Sequence, residues 1–158
     1  MCSSDLAFSR AAADDTVKVI ILAAEGPDFS AGHDLSEPIV VPDDGPRGCC
    51  GGFGLPGIEG WWQTEREVFV GLCERWRNIP KPTIAQVQGR VIAGGLMLVW
   101  PCDLVVAADD ALFSDPVVAF GVNGVEYFRH PFEVGEIGRA HSELQSLAYL
   151  VCRLLLEK

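Results

Sequence analysis

Two short glycine-containing turns are the parts of this sequence best suited to chemistry. The first, FSAGHDL at 29–35, follows an apolar β-branched run at 17–23, and the second, AGG at 93–95, follows a similar run at 83–87. Glycine lets a backbone come close to a ligand. A helix that begins at such a turn leaves amide N–H groups without partners, and these groups favour a nearby negative charge. The alternative use of the glycine pair is a tight turn or a close packing contact.

If the two apolar runs are neighbouring strands of one sheet, both turns open at the same edge and two backbone N–H groups converge on one point. Such a pair is an oxyanion hole, which stabilises the negative oxygen of an enolate or of a tetrahedral thioester intermediate. Ser30, His33 and Asp34 also supply the residue types of a hydrolytic triad. Adjacent residues on one turn point in different directions, however, so we do not expect a working triad. Asp34 is instead expected to cap the helix that follows.

The elements that hold these turns are indicated by the apolar pattern. A strand is predicted at 83–87, followed by a glycine turn at 88–89 and an apolar helix that begins at Gly95. The runs at 17–23 and 104–108 are continuous apolar segments, which are typical of strands buried on both faces. Alternation of such strands with helices predicts an α/β layered fold.

The clearest amphipathic helix is predicted at 61–78, and Pro80 and Pro82 end it. Its apolar residues recur at spacings near three and four and are expected to face the core: Trp62, Val68, Phe69, Leu72 and Trp76. The preceding segment at 36–60 is rich in proline, glycine and aspartate and is predicted to be a long loop. A loop of this length is usually functional or disordered.

Composition excludes several classes of protein. The chain has 158 residues and a formal net charge of −10, and its length suffices for one domain with a core. The charge argues against nucleic-acid binding, which needs clustered lysine and arginine. The sequence has no apolar tract of about eighteen residues, so a membrane span is not expected. It has no cationic start followed by an apolar run, so a secretory signal is not expected either.

The six cysteines form no C-x-x-C pair and have no neighbouring histidine in a zinc spacing, so no metal site is expected. The adjacent Cys49 and Cys50 are either a redox site or chance neighbours in a glycine-rich loop. Scattered thiols fit a reducing compartment, and we expect a cytoplasmic protein. A dinucleotide-binding domain and a phosphate-loop hydrolase are disfavoured, because no G-x-G-x-x-G follows a strand and no G-K-[ST] occurs.

Two motifs, in this order, resemble the crotonase (enoyl-coenzyme A hydratase/isomerase) superfamily. They are FSAGHDL at 29–35 and KPTIAQVQGRVIAGGLMLVWPCDLVVAADDALFSDP at 81–116, and the resemblance extends over residues 7–135. It implies an α/β fold, a crotonase-like spiral of β-β-α units that is incomplete in this chain. It also implies that the partner is an acyl-coenzyme A thioester, with coenzyme A as part of the substrate and no separate cofactor. The intact parent would be a homotrimer or hexamer.

The resemblance also implies roles for individual residues. The oxyanion donors would be the backbone N–H groups of His33 and Gly94, and the loop at 36–60 would cover the acyl pocket. Hydratases of the superfamily use two glutamates as acid and base, and the matched positions here hold Met97 and Val117, which cannot transfer a proton. The acyl and pantetheine path would be lined by Ala31, His33, Asp34, Leu35, Gly94, Gly95, Pro116 and Val117.

Hydration is therefore not expected, and the reaction stays open among isomerisation, hydrolysis, decarboxylation and dehalogenation. Glu126, in the loop at 121–127, is the first candidate for the acid or base, with Asp115 and His130 as further candidates. The alternative for Glu126 is a solvated loop carboxylate. The alternative for the whole chain is a non-catalytic acyl-coenzyme A-binding pseudoenzyme or an inactive fragment.

The resemblance stops abruptly near both ends. Residues 136–147, EIGRAHSELQSL, and 1–6, MCSSDL, can be encoded almost letter for letter by a common sequencing adapter and its complement. We therefore expect the natural core domain to run from 7 to 135, with non-native ends at 1–6 and 136–158. The alternative is a natural divergent tail in which 148–158 forms a short helix.

Overall fold

The computed structural model describes residues 3–33, 60, 62–63, 65–121, 124–125, 127 and 129–133. Three residues predicted to belong to the site, Asp34, Leu35 and Glu126, lie outside the described residues. The predicted loop at 36–60, apart from Gly60, and the end at 136–158 also lie outside them.

Five strands, four α-helices and three other helical segments make up the described part of the chain. In order they are α1 (Ser3–Ala13), β1 (Ile20–Ala23), a π-helix (Glu65–Val70), α2 (Gly71–Arg77), β2 (Thr83–Val87), β3 (Arg90–Ile92), a 3-10 helix (Ala93–Gly95), α3 (Leu96–Val99), β4 (Leu104–Ala107), β5 (Leu112–Ser114), a second 3-10 helix (Pro116–Phe120) and α4 (His130–Glu133). The strand predicted at 83–87 is confirmed, and the strand within 17–23 begins only at Ile20.

The strands form two parallel sheets. The first has the order β1-β2-β4 and the second pairs β3 with β5. The chain passes from the first sheet to the second between β2 and β3, at Gly89, whose φ is +56°. A Cβ at Gly89 would collide with the carbonyl oxygen of Pro27, so the turn requires glycine at this point. β1 pairs with β2 in parallel, so the condition under which the two glycine turns open at the same edge is met.

The core lies between the inner faces of both sheets and the helices α2 and α3. Its members are apolar residues from every one of these elements, among them Leu72, Trp76, Ala85, Val87, Val91, Leu96, Val99 and Phe113. Helix α1 closes the core at one end, because the ring of Phe8 stacks on that of Trp76 with 3.8 Å between centroids. The buried Asp5 carboxylate accepts hydrogen bonds from Trp76 Nε1 at 3.2 Å and from Arg75 Nη2 at 3.1 Å.

The prediction that the strands of the first sheet are buried on both faces is wrong for the described structure. Ile21, Ile84 and Leu104 stand in one row across the sheet. Ile21 is 61% exposed and Leu104 59% exposed, whereas Ile20 on the opposite face is 8% exposed. The described residues cover only the inner face, so burial alternates along each strand as it does in a sheet with one open side.

The predicted helix at 61–78 is helical over most of its described length, but its predicted apolar face is only partly buried. Leu72 and Trp76 are in the core, whereas Trp62, Val68 and Phe69 are exposed. The reason is the π-helix that precedes α2. In a π-helix each amide bonds five residues back, so a spacing of three and four residues no longer brings side chains onto one face.

Candidate functional site

The segment 29–30 pairs with β3 and thereby forms the base of the candidate site. Phe29 N donates to the Gln88 carbonyl at 3.0 Å, Ser30 N donates to the Arg90 carbonyl at 3.0 Å, and Ile92 N donates to the Ser30 carbonyl at 2.9 Å. This pairing is parallel. The residues after Ser30 and those after Ile92 therefore leave the sheet side by side at the same end.

The backbone at Gly32-His33 lies directly against the backbone at Gly94. A Cβ placed on Gly94 would lie 3.7 Å from His33 N, and one placed on Gly32 would lie 3.4 Å from Gly94 N. A methyl group on either glycine would therefore touch the main chain of the other segment, so the two backbones adjoin. The structure thus brings together the two peptides that the sequence singled out, although their positions are 61 residues apart.

Ala93 holds the chain in an unusual conformation beside Gly94. Its φ is +47°, and no other non-glycine residue of the described part has a positive φ. This conformation costs on the order of 1–3 kcal/mol, and such strained residues cluster at functional sites. It turns the chain from the extended Ile92 into the 3-10 helix. Gly94 therefore lies in the first turn of that helix, where an amide N–H has no carbonyl partner within the helix.

The two adjacent glycines have different surroundings. A Cβ on Gly95 would lie 2.9 Å from Ser30 Cβ and 3.1 Å from the Ser30 carbonyl oxygen, which is too close. A Cβ on Gly94 would have no neighbour nearer than 3.7 Å. Gly95 is therefore required for packing, which is the alternative use named from the sequence, whereas a Cβ at Gly94 would make only ordinary van der Waals contacts, the nearest with His33 N.

The Ser30 side chain has a structural role. Its Oγ accepts a hydrogen bond from Gly32 N at 3.3 Å, so it stabilises the turn that carries His33. Gly32 itself has a φ of +87°, and a Cβ there would lie 2.8 Å from the Ile92 carbonyl oxygen. Ala31 and His33 are exposed.

The side chains of Met97 and Val117 pack in or against the hydrophobic core. Met97 is 4% exposed within α3, and its carbonyl accepts a hydrogen bond from Cys73 Sγ at 3.1 Å. Val117 is half-buried and packs against the core, next to the half-buried Pro116 that begins the second 3-10 helix. Both positions thus contribute to packing in the described structure.

Asp115 is the candidate acid or base whose surroundings the structure describes. Its Oδ2 accepts a hydrogen bond from Val125 N at 3.1 Å. This bond ties the end of β5 to the residue before Glu126, and Val125 is 4% exposed. His130 begins α4, and Glu126 lies outside the described residues.

An ion pair that the sequence interpretation missed lies at the start of the paired segment. Arg90 Nη2 lies 2.6 Å from Asp28 Oδ2. Hydrogen bonds from the Arg90 side chain and backbone hold the pKa of Asp28 down, to about 2. The available signal was a pair of opposite charges just ahead of the two motifs, at Asp28 before FSAGHDL and at Arg90 before VIAGG.

The described part of the chain contains neither a metal-binding cluster nor a membrane-spanning helix. Its histidine, cysteine, aspartate and glutamate side chains form no group of three or more that could hold a metal ion. No helix within the described ranges combines the length and apolar character that crossing a bilayer requires.

Comparison with known sequences gives a consistent set of relatives. The family model described as "Enoyl-CoA hydratase/isomerase" matches residues 59–143. A protein of Mycobacterium tuberculosis that carries the name enoyl-CoA hydratase EchA13 is 48% identical over 136 residues, which cover 82% of this chain and 43% of that protein. A 4-chlorobenzoyl coenzyme A dehalogenase of an Arthrobacter species is 30% identical over 116 residues, which cover 73% of this chain and 38% of the relative. The chain thus spans less than half the length of these curated relatives.

Solved structures show the same similarity. The crystal structure of an enoyl-CoA hydratase from Mycobacterium smegmatis matches with a TM-score of 0.77 and 45% identity, over 94% of this chain and 53% of that one. A related structure from Mycobacterium thermoresistibile matches with a TM-score of 0.78 and 42% identity, over 94% of this chain and 54% of that one.

Proposed function

The chain belongs to the enoyl-CoA hydratase/isomerase family, and from that premise we propose that it binds an acyl-coenzyme A thioester and polarises the thioester carbonyl between the backbone amides of His33 and Gly94. The fold predicted from the sequence, part of a crotonase-like spiral, is confirmed by the match to solved members of the family. The chain covers about half of each of those structures.

One observation carries the proposal: the contact between the backbone at Gly32-His33 and the backbone at Gly94. Amide donors on two adjoining backbone segments can share one oxygen atom when both point toward it. When the thioester carbonyl becomes an enolate or a tetrahedral intermediate, negative charge develops on that oxygen. Fixed donors aimed at it stabilise the transition state, and removing one donor typically costs about 3 kcal/mol of barrier.

The proposed reaction is not a hydration. Met97 and Val117 stand at the positions where the resembling hydratases carry their two glutamates, and both side chains pack in or against the core. We assign the proton transfer to the loop that follows β5, with Glu126 as the first candidate and Asp115 as the second. A relative named as a dehalogenase of a coenzyme A thioester supports thioester activation for chemistry other than hydration.

A second candidate function is binding of the acyl-coenzyme A without turnover. It is favoured by the burial of Met97, since a methionine that is 4% exposed leaves no proton-transferring group at that position. In this case the two amides would hold the carbonyl, and no bond of the acyl group would change.

Absorbance measurements separate the two candidates. The purified chain is mixed with crotonyl-, dienoyl- and β-diketone-coenzyme A thioesters, and the spectrum is followed over time. The proposed enzyme consumes at least one of these thioesters, and the Gly94→Ala variant loses that activity on the order of a hundredfold. Binding of the thioesters without any spectral change over time supports the second candidate, and absence of binding contradicts both.

A further inference from the structure

The Asp28–Arg90 ion pair makes three hydrogen bonds in one place. Arg90 Nε donates to Asp28 Oδ1 at 2.9 Å and Arg90 Nη2 donates to Asp28 Oδ2 at 2.6 Å. The backbone N–H of Arg90 also donates to Asp28 Oδ1, at 2.9 Å. The guanidinium is thus held in the two-bonded geometry that gives an arginine–carboxylate pair its directionality.

The third of these bonds links the pair to the sheet. Beyond Asp28 and Arg90, the 29–30 segment and β3 pair through backbone hydrogen bonds alone. Ser30 N donates to the Arg90 carbonyl, and Ile92 N donates to the Ser30 carbonyl. The Asp28 carboxylate therefore takes the place of a backbone carbonyl where this ladder begins. A slip of one residue between the two strands would break all the bonds to Asp28 and turn each side chain to the opposite face.

Further contacts hold the turn at 24–27 against the two residues that precede β3. Gln88 Nε2 donates to the Ala24 carbonyl at 2.8 Å and to the Gly26 carbonyl at 3.1 Å. Gly89 has no side chain to separate it from Pro27. The turn at 24–27 is thus attached to residues 88–89 on the side of the ion pair that is away from the candidate site.

The pair lies at the opposite end of this ladder from the candidate site. His33 follows Asp28 by five residues, and Gly94 follows Arg90 by four. Because the two segments run in parallel, the register set at Asp28 and Arg90 decides which peptides meet at the other end. We propose that Asp28 and Arg90 are positioning residues that fix this register and thereby place the His33 and Gly94 amides against each other. Their role in activity rests on the proposed function, whereas the positioning itself does not.

The alternative is an ordinary surface ion pair. The Arg90 side chain is 60% exposed, and exposed pairs contribute little to stability. The two roles make different predictions. A surface pair has no effect on the contact between residues 33 and 94, whereas a positioning pair affects this contact strongly even when the melting temperature changes little.

The test is an NMR measurement on the full chain, in which the nuclear Overhauser effect between the His33 amide hydrogen and a Gly94 α-hydrogen reports their contact. We expect Asp28→Ala to lose this signal and Asp28→Asn to retain it, because an asparagine oxygen still accepts from Arg90 N. The matched control is Glu133→Gln, which removes another arginine–carboxylate pair, the one with Arg129. It should leave the signal unchanged.

The outcomes separate this inference from the proposed function. If the signal persists in Asp28→Ala, the inference is wrong. If Asp28→Ala does not fold, Asp28→Leu decides, since it removes every acceptor for the Arg90 N–H but keeps a side chain of similar size; an unchanged signal there also overturns the inference. If the variants lose the signal but the unmodified chain binds no acyl-coenzyme A thioester, the positioning role stands and the proposed function fails.

Discussion

At the scale of single residues, Gly94 provides the most selective test of the site. A methyl group at Gly94 would have no neighbour nearer than 3.7 Å, and that neighbour is His33 N. Gly94→Ala should therefore fold with little change in stability, yet place a methyl group where the carbonyl oxygen would be bound. We expect a loss of on the order of a hundredfold in turnover, measured together with the thermal unfolding midpoint. Unchanged turnover would contradict the role of Gly94.

Substitution of the neighbouring Gly95, in contrast, should reduce the stability of the fold. A Cβ there would lie 2.9 Å from Ser30 Cβ, so Gly95→Ala must displace the paired segment. We expect it to destabilise the fold by about 1–3 kcal/mol, measured by denaturant unfolding. Adding Ser30→Gly removes the nearest atom and should recover part of this loss. A Gly95→Ala variant as stable as the parent chain would show that the packing described here is wrong.

The Asp28 carboxyl group should titrate abnormally. Hydrogen bonds from the Arg90 side chain and backbone lower its pKa from the ordinary 3.8 to about 2. Because the folded-state pKa is the lower one, the ionised carboxylate stabilises the fold above about pH 4, and this contribution is lost as the pH falls toward 2. A carboxyl NMR titration should give a midpoint near 2, and a higher midpoint in Arg90→Ala, which removes the side-chain bonds but keeps the backbone bond. Equal midpoints would contradict the ion pair, provided amide spectra show that both chains stay folded.

At the scale of elements, α1 depends on a polar contact with α2. The Asp5 side chain is buried and accepts from Trp76 Nε1, which lies within the core. Asp5→Ala leaves that buried donor without its acceptor and should lower the free energy of unfolding by about 1–3 kcal/mol. The control is Asp15→Ala, at an exposed position, which should change it by less than about 0.5 kcal/mol. Equal effects of the two variants would show that α1 does not dock as described.

The assignment of residues 1–6 and 136–158 as non-native ends stays a prediction. Helix α1 begins at Ser3, inside the first of these segments, and Asp5 contacts the core. An alanine scan of 3–6 would measure how much the segment contributes to stability.

Local sequence signals were sufficient for the elements around the site. The strand at 83–87 and the glycine turn after it were predicted, because apolar β-branched runs and glycine turns are local patterns. The pairing of β1 with β2 was only a condition of the site argument, since pairing joins distant parts of the chain, and the structure meets it. The π-helix at Glu65–Val70 was not predicted, since its residues also fit the spacing of an α-helix. The Asp28–Arg90 pair was missed because it joins positions 62 apart and depends on strand register.

At the scale of the whole molecule, the first sheet presents an apolar outer face. Ile21, Leu104 and Val106 are 61%, 59% and 48% exposed. Parallel sheets usually have both faces covered, and exposed apolar patches of this kind favour association. The strand burial could not be predicted from the apolar runs, because the same pattern fits a strand with two covered faces and one with a single covered face.

Lysine substitutions on the two faces of β1 should therefore differ in their effect on stability. Ile21→Lys places a charge on the open face and should reduce aggregation, with a stability change of about 0.5 kcal/mol or less. Ile20→Lys, at a position 8% exposed, buries an ammonium group and should prevent stable folding. Light scattering and thermal unfolding measure both outcomes. A large loss of stability in Ile21→Lys would mean that this face is covered.

Polarisation of the thioester carbonyl by the two amides can be measured through the infrared carbonyl stretch of a ¹³C-labelled acyl-coenzyme A thioester bound to the chain. Two amide donors at His33 and Gly94 would draw electron density onto the carbonyl oxygen and weaken the C=O bond. We expect a bound carbonyl frequency clearly below that of the same thioester in water, and loss of this shift in Gly94→Ala. A bound thioester whose carbonyl frequency equals the value in water would contradict this polarisation.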